Sequence, residues 1–578
     1  MNRIHFTAPV SSDHIQRRVG LVTLAIVLIC FGIVVRLFDR AVLQNGLAET
    51  KALAQQSVVQ TVNPFRGVIY AQGANDNDPV PIALNEPKAR IDIIPKNVKD
   101  HALVAKTLAP MLGMDEKELD GLINNDKPYI PPVKRNLPLS VGQHIEDLHI
   151  VGVSVVSESY RAYPEGSLAA QVLGFVNGDS EGQYGIEQRY NSLLQGFTTN
   201  VTGQRDGWGN TFIDTTDVTK NKGADVVLTI DRDVQVTVEQ MLQDAVKKFS
   251  AKSGSVTIVD PKTGRVIAMA TAPTFDPNSY NQVKPEDQSV YKNAAVSRTL
   301  EPGSVMKSIT IASGLDSGRI KATDEGNYGA SVKVNDREIH TAQNKAFGHE
   351  TVTDVLVNSD NVAMVDISGK LGRELEYDYM QRFNFSKKTG IDLDNEATGS
   401  MPPLKDWRAV NTATIAFGQG ITITPLQMTM AYAAIANKGV YMKPYLVDSI
   451  HFPDGKKEDT TAQQVGRAVG EDAASQVTQM LIEVVTRGHG KKAGVAGYTV
   501  AGKTGTAQIA NLDGSGYVDG KNNGSFAGFA PVEDPKFAMF VTLEEPQGVD
   551  FAESSAAPLW GQIAQYLLKN RYHIAPKQ

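Results

Sequence analysis

A serine and a lysine one helical turn apart, at the start of an apolar segment, constrain this chain more than any other feature. In Glu301-Pro302-Gly303-Ser304-Val305-Met306-Lys307 the proline and glycine make a turn, and Met306, Ile309 and Ile311 continue an apolar run. The pattern predicts a largely buried helix opening at Ser304, with Ser304 and Lys307 on one face. A serine there is also a good N-cap, which is the plain structural reading. The lysine is harder to explain by structure alone. A buried ammonium is costly unless paired or neutral, and burial lowers its pKa. A neutral lysine beside a serine hydroxyl is a competent general base, so the helix would activate its own nucleophile. Its N-terminus adds free backbone N–H groups and a partial positive charge.

Two further polar motifs interrupt otherwise apolar or small-residue segments. Ser359-Asp360-Asn361 stands between Val355-Leu356-Val357 and Val362-Ala363-Met364, and polar groups placed there need partners. Lys503-Thr504-Gly505-Thr506 continues the β-branched and small residues from Tyr498, which predicts a strand. Gly502 and Gly505 remove side chains where another backbone could come close. An edge strand of this kind can pair with an extended peptide, with a lysine and two threonines beside it to hold a carboxylate. The same short patterns recur elsewhere in ordinary settings. Lys262-Thr263-Gly264 lies in a turn between two apolar runs and predicts a hairpin. Lys388-Thr389-Gly390 follows a helix stop expected at Phe385-Ser386-Lys387, and Ser289-Val290-Tyr291-Lys292 lies in a polar, solvated stretch.

Taken in order, S-x-x-K, S-D-N and K-T-G resemble the signature of penicillin-binding proteins and class A β-lactamases. The likeness to class B penicillin-binding proteins, monofunctional peptidoglycan D,D-transpeptidases, runs along nearly the whole chain. It includes Arg66-Gly67-Val68-Ile69, Arg161-Ala162-Tyr163-Pro164, Gly182, Gly185-Ile186-Glu187 and Tyr190-Asn191. It continues through Asn293-Ala294-Ala295, Phe417-Gly418-Gln419-Gly420, Thr424-Pro425-Leu426-Gln427 and Phe526-Ala527-Gly528-Phe529-Ala530-Pro531. Tyr70-Ala71-Gln72-Gly73 and Arg487-Gly488-His489-Gly490 depart from the family's D-R-N-G and G-T-G.

The resemblance implies an α/β (α+β) fold: a serine β-lactamase/transpeptidase-like domain with an antiparallel sheet flanked by helices. An extended, β-rich N-terminal pedestal and one transmembrane helix would precede it. It also implies roles. Ser304 attacks the penultimate D-alanine carbonyl of a stem peptide, Lys307 takes its proton, and Ser359 relays a proton to the leaving amine. Asn361 bonds the substrate amide. Lys503, Thr504 and Thr506 hold the terminal carboxylate around Gly505, and the N–H groups of Ser304 and Thr506 form an oxyanion hole. A nearby Lys503 cation also favours neutral Lys307. β-Lactams would acylate the same serine.

The rest of the chain fits an anchored wall enzyme. Only one run, Val19 to Val35 and extendable to Phe38, is long enough to span a bilayer. No A-x-A-like cleavage site follows it, so it reads as an uncleaved anchor. Flanking basic residues nearly balance, and orientation comes from the resemblance: a cytoplasmic tail over 1–18, an anchor over 19–38 in the cytoplasmic membrane, and the bulk outside. A pedestal or interaction module over 39–221 and a transpeptidase domain over 222–572 complete the expected organisation. An amphipathic helix is predicted from Val234 to Phe249, and strands at Ser255–Val259, Arg265–Ala270 and Phe537–Leu543. The final helix uses Leu559 and Ile563. The one cysteine, Cys30, lies in the apolar run, so the exported part cannot form intrachain disulfides. A net charge of −7 without a basic cluster argues against nucleic acid, and the ten histidines suggest no metal; no cofactor is expected. His489 is read as a loop residue. Expected partners are stem peptides ending in D-Ala-D-Ala, β-lactams, the membrane, a membrane glycosyltransferase of the SEDS type and other division proteins.

Two other readings use the same residues. A D,D-carboxypeptidase or β-lactamase would use water as acceptor, yet Glu396-Ala397-Thr398-Gly399 does not match a β-lactamase deacylating element. A catalytically silent scaffold or β-lactam receptor fits poorly with intact Ser304, Lys307, Ser359 and Lys503. Gly524-Ser525-Phe526-Ala527-Gly528-Phe529 favours a septal, division-specific role.

Overall fold

The apolar run from Val19 forms most of α1 (Ser12–Phe38), which a π-helical turn, Asp39–Leu43, continues. Over Gln16–Val42 the helix is long and apolar enough to cross a membrane. The computed structural model describes residues 12–43, 57–62, 65–74, 78–125, 127–196, 199–205, 211–212, 222–510 and 516–577. Residues 1–11 of the expected tail lie outside them. The chain divides into two compact units. One, residues 1–64 and 197–221, contains α1 and an antiparallel sheet of Ser57–Val62, Thr199–Arg205 and Thr211–Phe212.

The other unit, residues 65–196 and 222–578, is built on two larger sheets. In the first, β1 (Ile69–Gln72) pairs antiparallel with the long β2 (Val80–Ile93), whose later residues pair with β3 (Val153–Ala162). On its other side β1 pairs in parallel with β4 (Asp225–Asp231), Val226 opposite Ile69 and Val227 opposite Tyr70. The sheet thus runs without a break across the boundary expected at residue 221. Three of the family-like segments meet beside it. The Glu187 carboxylate, 0% exposed, accepts from Arg66 Nε and from Arg161 Nε, each at 2.6 Å. Burying one acid between two guanidinium groups is tolerable only because all three are paired.

After β4 comes α2 (Arg232–Lys248), capped by Asp231, whose side chain accepts from the Val234 N–H. The second sheet contains β5 (Ser253–Val259), β6 (Val266–Ala272), β7 (Ala501–Ala510), β8 (Tyr517–Ala530) and β9 (Phe537–Glu544). Its order is β6-β5-β9-β8-β7, antiparallel throughout. Between β6 and β7 run α3 (Met306–Asp316), α4 (Val352–Asn358), α5 (Asn361–Leu371), α6 (Pro425–Ala436) and α7 (Glu471–Arg487), and α8 (Ala556–Tyr566) follows β9.

Strand alternation sorts the core. Met539, Val541 and Leu543 of β9 pack in one cluster with Val238 and Leu242 of α2 and Trp560 and Ile563 of α8. Ala538 and Phe540 belong to the opposite cluster, with α3 and α6. Nearly every residue of α6 is buried, which its all-round apolar sequence requires. Its start is a capping box between Thr424 and Gln427.

The expected hairpin at Lys262-Thr263-Gly264 joins β5 to β6, with Gly264 at φ +83°. Ser289 and Lys292 are exposed, as a solvated stretch requires. The helix stop expected at Phe385-Ser386-Lys387 occurs at Arg382 instead. Phe383 and Phe385 are both fully buried there, so the chain leaves the helix to seat them in the core.

Candidate active site

The approach to Ser304 is shaped by two glycines. Gly303 adopts φ +59°, and its N–H donates to the Gly418 carbonyl at 3.1 Å. A Cβ on Gly418, at φ +84°, would lie 2.2 Å from the Gly303 oxygen. The family-like blocks around Ser304 and Gly418 are therefore two halves of one contact. Glu301 ties in further segments: Oε1 accepts from the Gly420 N–H at 2.8 Å and Oε2 from the Tyr517 hydroxyl at 3.1 Å. In the sequence Glu301 stands only as part of a turn, and the one local sign of its role is an acid three residues before the nucleophile.

Ser304 lies in a 3₁₀ turn, Gly303–Val305, and α3 starts at Met306. The cap positions are Pro302 for the turn and Val305 for α3, so Ser304 is the N-cap of neither and the plain N-cap reading fails. In a 3₁₀ turn, positions three apart eclipse, which keeps Lys307 on the side of Ser304.

Lys307 is 0% exposed. Its Nζ donates to the Ser359 carbonyl at 2.5 Å and lies 3.1 Å from Ser359 Oγ. Lys503, also 0% exposed, has Nζ 3.1 Å from the same Oγ, 3.2 Å from the Thr504 carbonyl and 3.4 Å from Thr504 Oγ1. Burial holds the Lys307 pKa well below that of an ordinary lysine, and the Lys503 charge lowers it further; Asp360 and Glu350 oppose both. Burial alone brings Lys503 down to about 7.

Ser359 reaches both lysines from an unusual backbone position. It ends α4 with φ +57°, the left-handed region, and its N–H bonds the Val355 carbonyl. Asp360 then caps α5, accepting from the Val362 and Ala363 N–H groups. The polar break in the apolar segment is thus the junction of two buried helices. Asn361, first in α5, donates from Nδ2 to the His340 carbonyl at 3.0 Å, which leaves Oδ1 facing away from that bond and able to accept.

β7 passes directly over the nucleophile turn. A Cβ on Gly505 would meet the Pro302 oxygen at 2.9 Å, Val305 Cγ1 at 3.1 Å and Ser525 Oγ at 2.4 Å, so only glycine lets the strand lie there. Thr504 is buried beside Lys503. Thr506 Oγ1 accepts from the Ala552 N–H at 3.1 Å, which leaves its hydroxyl proton to donate. The structure therefore joins Lys307, Ser359, Lys503 and Thr504 by direct contact and sets Gly505 against the Ser304 turn. Asn361 and Thr506 are fixed by backbone partners of their own. Exposed His489 pairs with Glu553 at 3.1 Å, on the short turn that also holds Thr506. Glu396 is occupied elsewhere: its carboxylate accepts from the Thr389 N–H and hydroxyl and from the Gly390 N–H.

A helix-borne serine, two buried lysines and a bridging hydroxyl beside a five-stranded antiparallel sheet define the class of penicillin-interacting serine acyltransferases. Comparison with known proteins narrows the class. Residues 254–565 match the family described as penicillin binding protein transpeptidase domain, and residues 61–228 the penicillin-binding protein dimerisation domain. Stage V sporulation protein D of Bacillus subtilis is 33% identical over 511 residues, 86% of this chain and 77% of that protein. Peptidoglycan D,D-transpeptidase FtsI of Escherichia coli K12 is 30% identical over 518 residues, 88% of this chain and 84% of that protein. Penicillin-binding protein 3 of Mycobacterium tuberculosis, solved with aztreonam, superposes with TM-score 0.69 at 28% identity, covering 90% of this chain and 98% of that one. The chain belongs to the class B penicillin-binding proteins.

Proposed function

We propose that this protein is a peptidoglycan D,D-transpeptidase in which Ser304 is the nucleophile and Lys307 its general base. The observation that carries this reading is the position of Ser359 Oγ, 3.1 Å from both Lys307 Nζ and Lys503 Nζ. Neutral Lys307 removes the Ser304 proton as Oγ attacks the penultimate D-alanine carbonyl of a stem peptide. The proton passes through Ser359 to the departing nitrogen, the C–N bond breaks, and D-alanine leaves with an ester on Ser304. The amine of a neighbouring stem peptide then attacks the ester, restores the serine and completes the cross-link.

Around this step, the Ser304 and Thr506 backbone N–H groups hold the oxyanion, and Asn361 Oδ1 accepts from the substrate amide. Lys503, Thr504 and Thr506 bind the terminal carboxylate, for which a cation and two hydroxyls are a fitting set. A β-lactam presents a similar carbonyl and carboxylate and acylates the same serine. The bonds that occupy Glu396 favour an amine over a base-activated water as acceptor.

The named relatives FtsI and stage V sporulation protein D favour a role in division, with residues 222–572 as the transpeptidase domain and 39–221 as a pedestal that meets partners. α1 would anchor the chain in the cytoplasmic membrane with residues 1–18 inside, beside a membrane glycosyltransferase of the SEDS type. The deciding experiment is intact mass after incubation with a penicillin, on the wild type, Ser304→Ala and Ser289→Ala. A stable adduct lost only in Ser304→Ala is expected; an adduct that survives Ser304→Ala overturns the assignment.

A further inference from the structure

Beneath Ser359 lie two buried carboxyl groups that no proposed step uses. Glu350, in the strand Gly348–Thr351, is 1% exposed, and Asp360 is 0%. One oxygen of each is satisfied. Glu350 Oε1 accepts from Asn358 Nδ2 at 2.7 Å, and Asp360 Oδ1 accepts from the Val362 and Ala363 N–H groups at 2.6 and 3.2 Å. The other oxygens, Glu350 Oε2 and Asp360 Oδ2, are buried and accept from no N–H or hydroxyl donor. Both carboxyls brace the same junction, Glu350 through Asn358 at the end of α4 and Asp360 as the cap of α5. Two carboxylates so placed repel strongly away from water, whereas one proton held between the orphan oxygens satisfies both.

We propose that Glu350 and Asp360 share a single proton, forming a buried monoanionic pair that fixes the Ser359 junction and sets the proton affinity of Lys307. The pair acts through Lys307 and Ser359 and is a positioning unit. This deepens the reading of Ser304 and Lys307 as the acylating pair and rests on it.

The surroundings fit. Burial first, and then Asp360 and Asp354 against the Asn358 bond, push Glu350 up to about 7. Asp354 on α4 is itself paired with Arg487 of α7 at 2.9 Å. Tyr328, on the strand Glu325–Tyr328, feels both carboxyls but donates to Asp366 of α5 at 3.0 Å. Lys307 of α3 feels both carboxyls and Lys503. A single negative charge steadies the lysine pair, whereas a second would favour protonated Lys307 and silence the base.

The test uses the full-length protein in detergent, with Glu350→Gln, Asp360→Asn and the double variant. Either amide can donate to the remaining carboxylate, so each single variant keeps one negative charge and all existing bonds. The infrared difference spectrum of the wild type minus each single variant, near neutral pH, is expected to show a protonated-carboxyl band lost with either substitution, the band of buried Glu376 cancelling in the subtraction. Each single variant keeps the acid limb of the penicillin-acylation pH profile in place, while the double variant moves it to lower pH by about one unit. Single variants that each displace the limb, with displacements that add in the double, overturn the proposal, as does the absence of the band. The band does not depend on acylation, so it decides the shared proton even if the assignment of Ser304 fails.

Discussion

Lys307 and Lys503, both fully buried, share one hydrogen-bond partner: the Ser359 hydroxyl oxygen lies 3.1 Å from each nitrogen. That oxygen has two lone pairs and one proton, so it can accept from one lysine while donating to the other only if the second is neutral. Desolvation and mutual repulsion both favour one neutral lysine. Lys307 is lowered further because it also feels the Lys503 charge, which ranks it as the base.

Lys307→Met should therefore slow penicillin acylation of Ser304 by about 10²–10⁴-fold while leaving the fold intact. Lys307→Arg should not restore the rate, because a guanidinium stays charged. Stopped-flow acylation with intact-mass endpoints checks both, and a normal rate in Lys307→Met would falsify the assignment.

The pH dependence follows from the same pair. A positive Lys503 lowers Lys307, so Lys503→Met should raise the Lys307 pKa and move the acid limb of acylation to higher pH, by roughly one unit. Loss of affinity for a carboxylate-bearing substrate comes with it. A lower rate with an unmoved limb would mean that Lys503 acts only in binding.

Gly505→Ala inserts a methyl where only 2.9 Å separates it from the Pro302 oxygen. We expect acylation to fall by about 10²-fold through displacement of β7 from the Ser304 turn, with a stability loss of about 1–3 kcal/mol. Thermal melts and acylation rates, measured together, separate the two effects.

Glu187→Ala leaves Arg66 and Arg161 buried without their acid and should cost about 3–5 kcal/mol, measured by chemical denaturation. Glu187→Gln, which keeps an acceptor, should cost less.

Glu376 on the helix Arg373–Arg382 is 0% exposed, with neither carboxyl oxygen hydrogen-bonded, and burial holds its pKa well above the usual carboxylate range. The unfolded chain ionises this group near its ordinary pKa while the folded one keeps it protonated. Stability therefore declines as pH rises from that value toward the folded pKa. Glu376→Met should remove this slope and stabilise the protein by about 1–3 kcal/mol near neutral pH, and by less near about pH 4. Equal gains at both pH values would show that the carboxyl is not the cause.

The sequence made some of this visible and hid the rest for physical reasons. α2 and the strands β5, β6 and β9 follow from local periodicity, and the Ser304–Lys307 turn from its glycine, proline and apolar run. Short-range rules say which face a residue occupies, but not what meets it. That Thr506 would accept from Ala552, or that Lys503 would reach Ser359, depends on packing between segments far apart in the chain. Glu376 gave no warning either, since its neighbours Glu374, Tyr377 and Asp378 read as a solvated face. β1 pairs with β4 across more than a hundred and fifty intervening positions, from Ile69 to Val226, a partnership no local pattern announces.

That partnership determines what a shortened chain would expose. A protein beginning at Lys222 would keep the Val447–His451 neighbour of β4 but lose Ile69–Gln72 on the other side. The hydrogen-bonding edge of an almost wholly buried strand, Asp225–Asp231, would then face water. An open edge flanked by valine, leucine and isoleucine is a template for joining further copies edge to edge. Such a fragment would tend to self-associate even with every reacting group in place, and residues 65–72 would serve as its cover.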